Sequence, residues 1–199
     1  MVVVRWRDWE GHGLEHCVCH QDTNGIVLEG VVAGTRHGAY GGHYLVRTDA
    51  DFRTREVHVQ YISGPRLHLQ ADGVGNWSDM IENKSLPVLQ GCIDVDIGIT
   101  PATNTLPIKR LKLEAHESHK IKAAYVPLPD QIDGMFLPQL AEQRYTCLIP
   151  EQRYRYEGIF RDFTAELSVD TDGLVIDYPD TFRRVTSQEN SIASSVFCS

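Results

Sequence analysis

A strict two-residue alternation of apolar and polar side chains recurs along this chain, and turn dipeptides cut it into short pieces. Val57-His-Val-Gln-Tyr61, Leu67-His-Leu-Gln-Ala71 and Ile93-Asp-Val-Asp-Ile-Gly-Ile-Thr100 all follow it. A period of two is that of a β-strand with one face toward a core. Ile26 to Ala33 is a denser β-branched run, and Leu111-Lys-Leu113, Ile121 to Val126, Tyr154-Arg-Tyr156 and Leu167-Ser-Val169 continue the pattern. Asn24-Gly25, Asp72-Gly73, Asp133-Gly134 and Asp172-Gly173 read as hairpin dipeptides, because a type I′ turn needs positive φ at both central positions. Closely spaced strands joined by tight turns specify an all-β, antiparallel domain. Helix is expected only at residues 78–83 and 137–143.

A chain of 199 residues is long enough for one self-sufficient core. The expected domain is 1–186, with Ser-rich residues 187–199 as a flexible tail. A weak echo at an offset of one hundred residues suggests two related halves, about 1–100 and 101–186. Arg53-x-Arg55 recurs as Arg153-x-Arg155, and the alternation before Asp72-Gly73 recurs before Asp172-Gly173. The competing account is that alternating strands and Asp-Gly turns are common in any β protein.

The net charge is −8, with 27 acidic against 19 basic residues. Such a chain repels phosphate backbones, so no nucleic-acid partner is expected. Anionic bilayer faces are disfavoured for the same reason, so a lipid ligand would have to sit in a pocket. No apolar run approaches the roughly 20 residues of a membrane span, and the N-terminus lacks the features of a signal peptide. The expectation is therefore a cytoplasmic protein that is not integral to a membrane. Five cysteines, odd in number and irregular in spacing, imply reduced thiols rather than a disulfide framework.

The most specific stretch is Gly91 to Pro107. Ile93, Val95, Ile97 and Ile99 define one side of a strand, and Asp94 and Asp96 lie on the other, with Cα atoms about 6.5–7 Å apart. Paired carboxylates at that distance suit glycoside hydrolysis or a metal. A glycosidase, however, needs its acids on opposing sides of the bond, and strand neighbours lie side by side. Capping loops, pairing with arginines or facing water are the alternatives. Pro101 and Pro107 push Thr100 and Leu106 toward extended backbone. A stiffened, exposed loop is expected, presenting Thr103, Asn104 and Thr105 to a hydroxyl-rich ligand or bonding to itself.

Other constellations carry less. His12, His16, Cys17, Cys19 and His20 crowd together, but on a strand the cysteines face one side while His16 and His20 face the other, so they do not converge on zinc. No cysteine has a local base, and Cys17, Cys19, Cys92 and Cys147 fall in strands as small buried hydrophobes. Gly41-Gly42 reads as a turn. The aromatics, Tyr145 and Tyr178 among them, are spread rather than striped, but Tyr154 and Tyr156 share a strand face that suits sugar stacking or ordinary core. Arg144, Arg153 and Arg155 lie near them in sequence, as an anion site or as partners for Asp94 and Asp96.

The Gly91–Pro107 run resembles the glycolipid-binding family whose representative structure is a bacterial spiral β-roll. Glu15-His16-Cys17, Asp51-Phe-Arg-Thr-Arg55, Gln143-Arg-Tyr-Thr146, Tyr154-Arg-Tyr-Glu157 and Asp172-Gly-Leu-Val-Ile-Asp-Tyr-Pro179 fit the same family in the same order, over residues 5 to 185. The resemblance implies a spiral β-roll and a non-enzymatic protein holding an amphiphilic, glycolipid-like small molecule. The residues expected to contact it are Glu15, His16, Asp94, Asp96, Thr103, Asn104, Arg144, Tyr145, Tyr156 and Tyr178. No catalytic residue, metal or cofactor is assigned. The alternatives are a hydrolase of a sugar or acyl ester using Asp94/Asp96 or Glu15/His16, and an interaction module that pairs with a partner or forms a homodimer. A deep groove would favour a ligand, a flat apolar patch a protein. Perturbed acids inside the groove would favour an enzyme.

Overall fold

The computed structural model describes residues 1–185; the expected tail and Cys198 lie outside them. The first half is an antiparallel meander that grows outward from β1 (Val2–Asp8). It continues through β2 (Leu14–Asp22), β3 (Gly25–Gly34), β4 (Tyr40–Thr48), β5 (Thr54–Tyr61), β6 (Arg66–Ala71), β7 (Trp77–Asp79) and β8 (Lys84–Ser85). The second half starts at the far edge with β9 (Asp94–Ile97), helix α1 (Thr105–Leu111) and β10 (Ser118–Val126). It then grows inward through β11 (Gln139–Ile149), β12 (Arg153–Gly158), β13 (Phe163–Val169), β14 (Val175–Tyr178) and β15 (Phe182–Arg184). There β15 pairs with β1, Trp6 opposite Arg184. The result is one large, mostly antiparallel sheet that does not close into a barrel, with 53% strand and 10% helix, as the alternation specifies.

The pairing of β9 with β10 is parallel. A hairpin cannot join parallel neighbours; the chain must cross over and return. That crossover carries residues 98–117 across the sheet and explains why the Thr100–Leu106 segment is not the exposed loop expected of it. It is a 3₁₀ turn, Ala102–Asn104, running directly into α1, and every residue from Ile99 to Ile108 is buried. Pro107 fits because it sits in the first helical turn, where its missing N–H would have had no partner anyway.

The crossover sits between two apolar clusters. Val95, Ile97, Ile99 and Leu106 join Trp6, Tyr44, Val57 and Leu69 in one. Ile108 and Leu113 join Tyr145, Tyr156, Leu167 and Tyr178 in the other. Strand β9 is therefore not half-exposed. Its apolar side enters the first cluster, while Asp94 on its polar side is 1% exposed. Arg110 of α1 answers that burial by donating from Nε to Asp94 Oδ1 at 3.0 Å and from Nη2 to Oδ2 at 2.6 Å.

Three local expectations are corrected. Residues 78–83 hold the end of β7 and a turn built on the Asp79 carboxylate, which accepts from the Ile81 N–H at 2.8 Å. Residues 137–143 lead into β11, whose ladder with β10 outweighs local helix preference. Gly41-Gly42 lies inside β4, where a Cβ on Gly42 would come within 3.0 Å of Ile99 Cδ1; the missing side chain makes room for the crossover.

The turn at Asp72 does recur, although not at Asp172. Asp72 Oδ1 accepts from the N–H groups of Val74 and Asn76, and Asp170 Oδ1 does the same for Asp172 and Leu174. A third copy at Asp49 serves Asp51 and Arg53. The motif is a local solution to a wide hairpin, an Asx turn, and its recurrence alone does not mark a duplication.

The Asp94–Arg110 pair gives a direct stability test. Arg110→Ala leaves a buried carboxylate unpaired and should cost about 3–5 kcal/mol. The double variant Asp94→Asn/Arg110→Met should recover much of that loss. Urea unfolding of the three proteins checks it; equal midpoints for the single variant and the wild type would contradict it.

Candidate functional site

A cleft of about 440 Å³ opens beyond the carboxyl end of β9. Five connections meet there: the β3–β4 loop with Arg36, the residues after β9 with Gly98 and Thr100, the β10–β11 connection with Gln131, the β12–β13 connection with Phe160 and Arg161, and the β14–β15 turn with Asp180 and Thr181. Tyr125, Tyr156, Phe163, Tyr178 and Phe182 form aromatic walls, and half-buried Asp96 and buried Asn104 supply polar groups. Gly98 is required by close approach, since a Cβ there would lie 2.6 Å from the Tyr125 hydroxyl.

Asp96 Oδ2 accepts a hydrogen bond from Gln143 Nε2 at 2.7 Å. Burial pushes its carboxyl up, opposed by the Gln143 bond and by the positive charges of Arg161 and Arg36. Arg161 lies over Tyr125, 4.0 Å from the ring centre, and over Phe160 at 4.8 Å, while its Nη2 donates to Gln131 Oε1 at 2.9 Å. Arg36 lies 4.8 Å from the Phe182 ring centre and donates from Nη1 to the Gly98 carbonyl at 3.0 Å. Both guanidinium groups are held in place by rings and neutral acceptors, which leaves N–H donors available to a ligand.

The sequence-derived candidates separate into four groups. Asp96, Asn104, Tyr156 and Tyr178 line the cleft. Tyr145 stands one bond behind it, donating its hydroxyl to Asn104 Oδ1 at 2.8 Å, while Asn104 Nδ2 donates to the Pro101 carbonyl at 3.0 Å. Asn104 is thus no exposed recognition amide; its removal would leave a buried hydroxyl without its acceptor, a loss of about 1–3 kcal/mol. Thr103 and Asp94 hold the crossover, Thr103 by accepting from the Ile97 N–H at 3.3 Å. His16 and Arg144 lie on the outer face of the sheet, Arg144 paired with Glu157 at 3.0 Å and His16 accepting from Arg5 at 3.4 Å.

Glu15 and His16 are therefore not a site pair, because neighbours on a strand point to opposite faces. Glu15 is buried, and its Oε1 accepts from the Tyr44 hydroxyl at 2.5 Å and from the Thr100 hydroxyl at 2.6 Å. Thr100 borders the cleft, so Glu15 lies one hydrogen bond behind it. The same alternation turns Cys17 and Cys19 inward and His16 and His20 outward. Burial pushes the Cys92 thiol up to about 11, and Cys17, Cys19 and Cys147 also shift upward, as expected of packing residues rather than nucleophiles.

Arg36, Gln131, Phe160 and Arg161 escaped the sequence reading because they sit in connections without period, and Tyr125 because it lies in the Ile121–Val126 strand run, where it reads as core. The one available signal was Phe160-Arg-Asp-Phe163, a cation set among aromatics at a turn between two strands.

Burial pushes the Glu15 carboxyl up to about 8 against an ordinary 4.5, opposed by the bonds from Thr100 and Tyr44. The folded chain then keeps a proton that the unfolded chain releases, so this contribution to stability is complete below about pH 4.5 and falls as pH rises toward 8. The slope is on the order of 1.4 kcal/mol per pH unit inside that window. Urea unfolding across it should show a shallower decline for Glu15→Gln than for the wild type; parallel curves would contradict a protonated Glu15.

A family model described as "Putative glycolipid-binding" matches residues 3–184. A crystal structure of a DUF1089 family protein from Pseudomonas aeruginosa is similar, with 36% sequence identity, a TM-score of 0.72, and an alignment covering 87% of this chain and 92% of that one. None of the curated proteins compared with the chain matches it. Among the described residues, no helix is long and apolar enough to cross a membrane.

Proposed function

Because this chain belongs to the family described as glycolipid-binding, we propose that the Asp96 cleft holds the sugar-bearing end of an amphiphile. The observation that carries this reading is the juxtaposition of one half-buried carboxylate with two ring-held guanidinium groups inside an aromatic-walled space. A sugar hydroxyl donates to a carboxylate and accepts from a guanidinium at once, so neighbouring hydroxyls match Asp96, Arg36 and Arg161. The aromatic side chains offer flat apolar faces to the sugar ring or to the start of an acyl chain. A volume near 440 Å³ falls within the range of small-molecule pockets. It suits a headgroup with a short length of chain, the remainder lying outside.

A second reading draws on the raised Asp96 carboxyl. An acid whose carboxyl is pushed upward suits the general acid of a glycoside hydrolase, which protonates the leaving group, and Asp180 at the rim is the other carboxylate of the cleft. In that case Asp96→Asn would abolish turnover of an aryl glycoside while leaving binding intact.

Native mass spectrometry of the chain incubated with a lipid extract of its own cells tests the binding reading. One sugar-containing lipid should be retained per chain, and Arg36→Ala and Arg161→Ala should each lower occupancy about tenfold, the loss of roughly one charge-assisted hydrogen bond. Both arginines are at least partly exposed, so both variants are expected to fold. Equal occupancy in the variants, or retention of lipids without a sugar, would overturn it.

A further inference from the structure

We propose that Glu56, His58 and His68, on the outer face of β5 and β6, form a binding site for a divalent transition-metal ion, with zinc the best match. Strand pairing creates the cluster. His58 and His68 stand directly opposite each other in the β5–β6 register, and Glu56 lies two residues before His58 on the same face. Directly opposed side chains on antiparallel strands have Cβ atoms only about 4.5–5.5 Å apart. Here the two imidazole rings stack with centroids 3.9 Å apart and planes inclined by 22°.

The stacking aims both Nε2 atoms at the same point. Each lies within hydrogen-bond distance of Glu56 Oε1, at 3.0 Å for His58 and 3.2 Å for His68. The three donor atoms lie within 4.8 Å of one another. In the absence of metal, Nε2–H donates to Glu56 Oε1; moving the ring protons to Nδ1 turns both Nε2 lone pairs toward the same small region as the carboxylate oxygen, and a cation there exchanges the N–H···O bonds for two metal–nitrogen bonds and one metal–oxygen bond. Two imidazoles and one carboxylate form a donor set that zinc uses with a fourth position left for water or a ligand. Harder cations such as magnesium and calcium prefer all-oxygen shells.

The surroundings support the assignment. The other Glu56 oxygen is held by Arg47 Nε at 3.3 Å, which fixes the carboxylate so that Oε1 faces the histidines. The side chains are 28%, 39% and 30% exposed for Glu56, His58 and His68, so an ion reaches them without the sheet opening. They border a groove of about 720 Å³ that also holds Met80 and Ile81, leaving room at the fourth position. This site lies on the opposite side of the sheet from the buried core and shares no residue with the Asp96 cleft. The histidine motif near the N-terminus lacks this arrangement because its members alternate across a strand.

Isothermal titration of the full chain with zinc chloride, with bound metal counted after dialysis, provides the test. One equivalent should bind, and His58→Gln and His68→Gln should each weaken binding by about tenfold or more. Glutamine keeps a donor for Glu56, so circular dichroism and thermal midpoints of the variants should match the wild type. Nitrogen NMR of wild-type histidines gives a readout that needs no variant: zinc should move the Nε2 resonances of His58 and His68. Failure of zinc to bind, an equivalent that survives in the His58→Gln/His68→Gln double variant, or shifts confined to other histidines would overturn the proposal.

Discussion

Two carboxylates on one short strand, Asp94 buried and Asp96 half-buried, lie in the middle of this protein, and the surrounding structure is arranged around them. Asp94 buried without a partner would cost several kcal/mol, a large share of the stability of a domain. Arg110 resolves this with two hydrogen bonds, and Arg110 is within reach only because the chain leaves β9, crosses the sheet as α1 and returns as a parallel neighbour. Burial pushes the Asp94 carboxyl up and the guanidinium opposes it. The crossover that brings Arg110 into place also supplies Ile99 and Leu106 to one apolar cluster and Ile108 to the other. Electrostatics and topology are thus the same constraint here.

Two residues further on, Asp96 meets a different environment. It has one neutral partner, Gln143, and two cations at longer range, and it borders open volume. The difference follows from position along the strand: Asp94 lies under α1, whereas Asp96 lies at the end of β9 where the connections diverge. Asn104 and Tyr145 brace the cleft from behind, and Glu15 braces it through Thr100. Preorganised polar groups of this kind hold a ligand without being ordered at the moment of binding.

The fold class was legible because alternation is a property of the chain itself. Val57 to Tyr61 and Leu67 to Ala71 could hardly be anything but strands, and both are. The crossover helix was not legible. Pro107 suggested extended backbone, and only the parallel pairing of β9 with β10, a long-range fact, makes a crossover obligatory. Half-burial of β9 was misread for the same reason, since an acid on a strand signals solvent unless a distant arginine is known to await it. Asp96, Asn104, Tyr156 and Tyr178, which line the cleft, stood out in the sequence because Asp96 and Tyr156 lie in alternating strands, Asn104 in a loop bracketed by prolines and Tyr178 beside a turn signal. Arg36 and Arg161 did not, because loop residues acquire a role only from what the fold brings beside them. Glu15 and His16 show the limit of reading neighbours as a pair on a strand.

The division of labour between the two acids is the centre of this account, and lipid occupancy per folded molecule measures it most directly. Asp94→Asn and Asp96→Asn are to be compared side by side by native mass spectrometry after incubation with a lipid extract of the protein's own cells. The account predicts that the folded fraction of Asp94→Asn carries wild-type occupancy, while Asp96→Asn loses most of it. Loss in Asp94→Asn together with full retention in Asp96→Asn would contradict it.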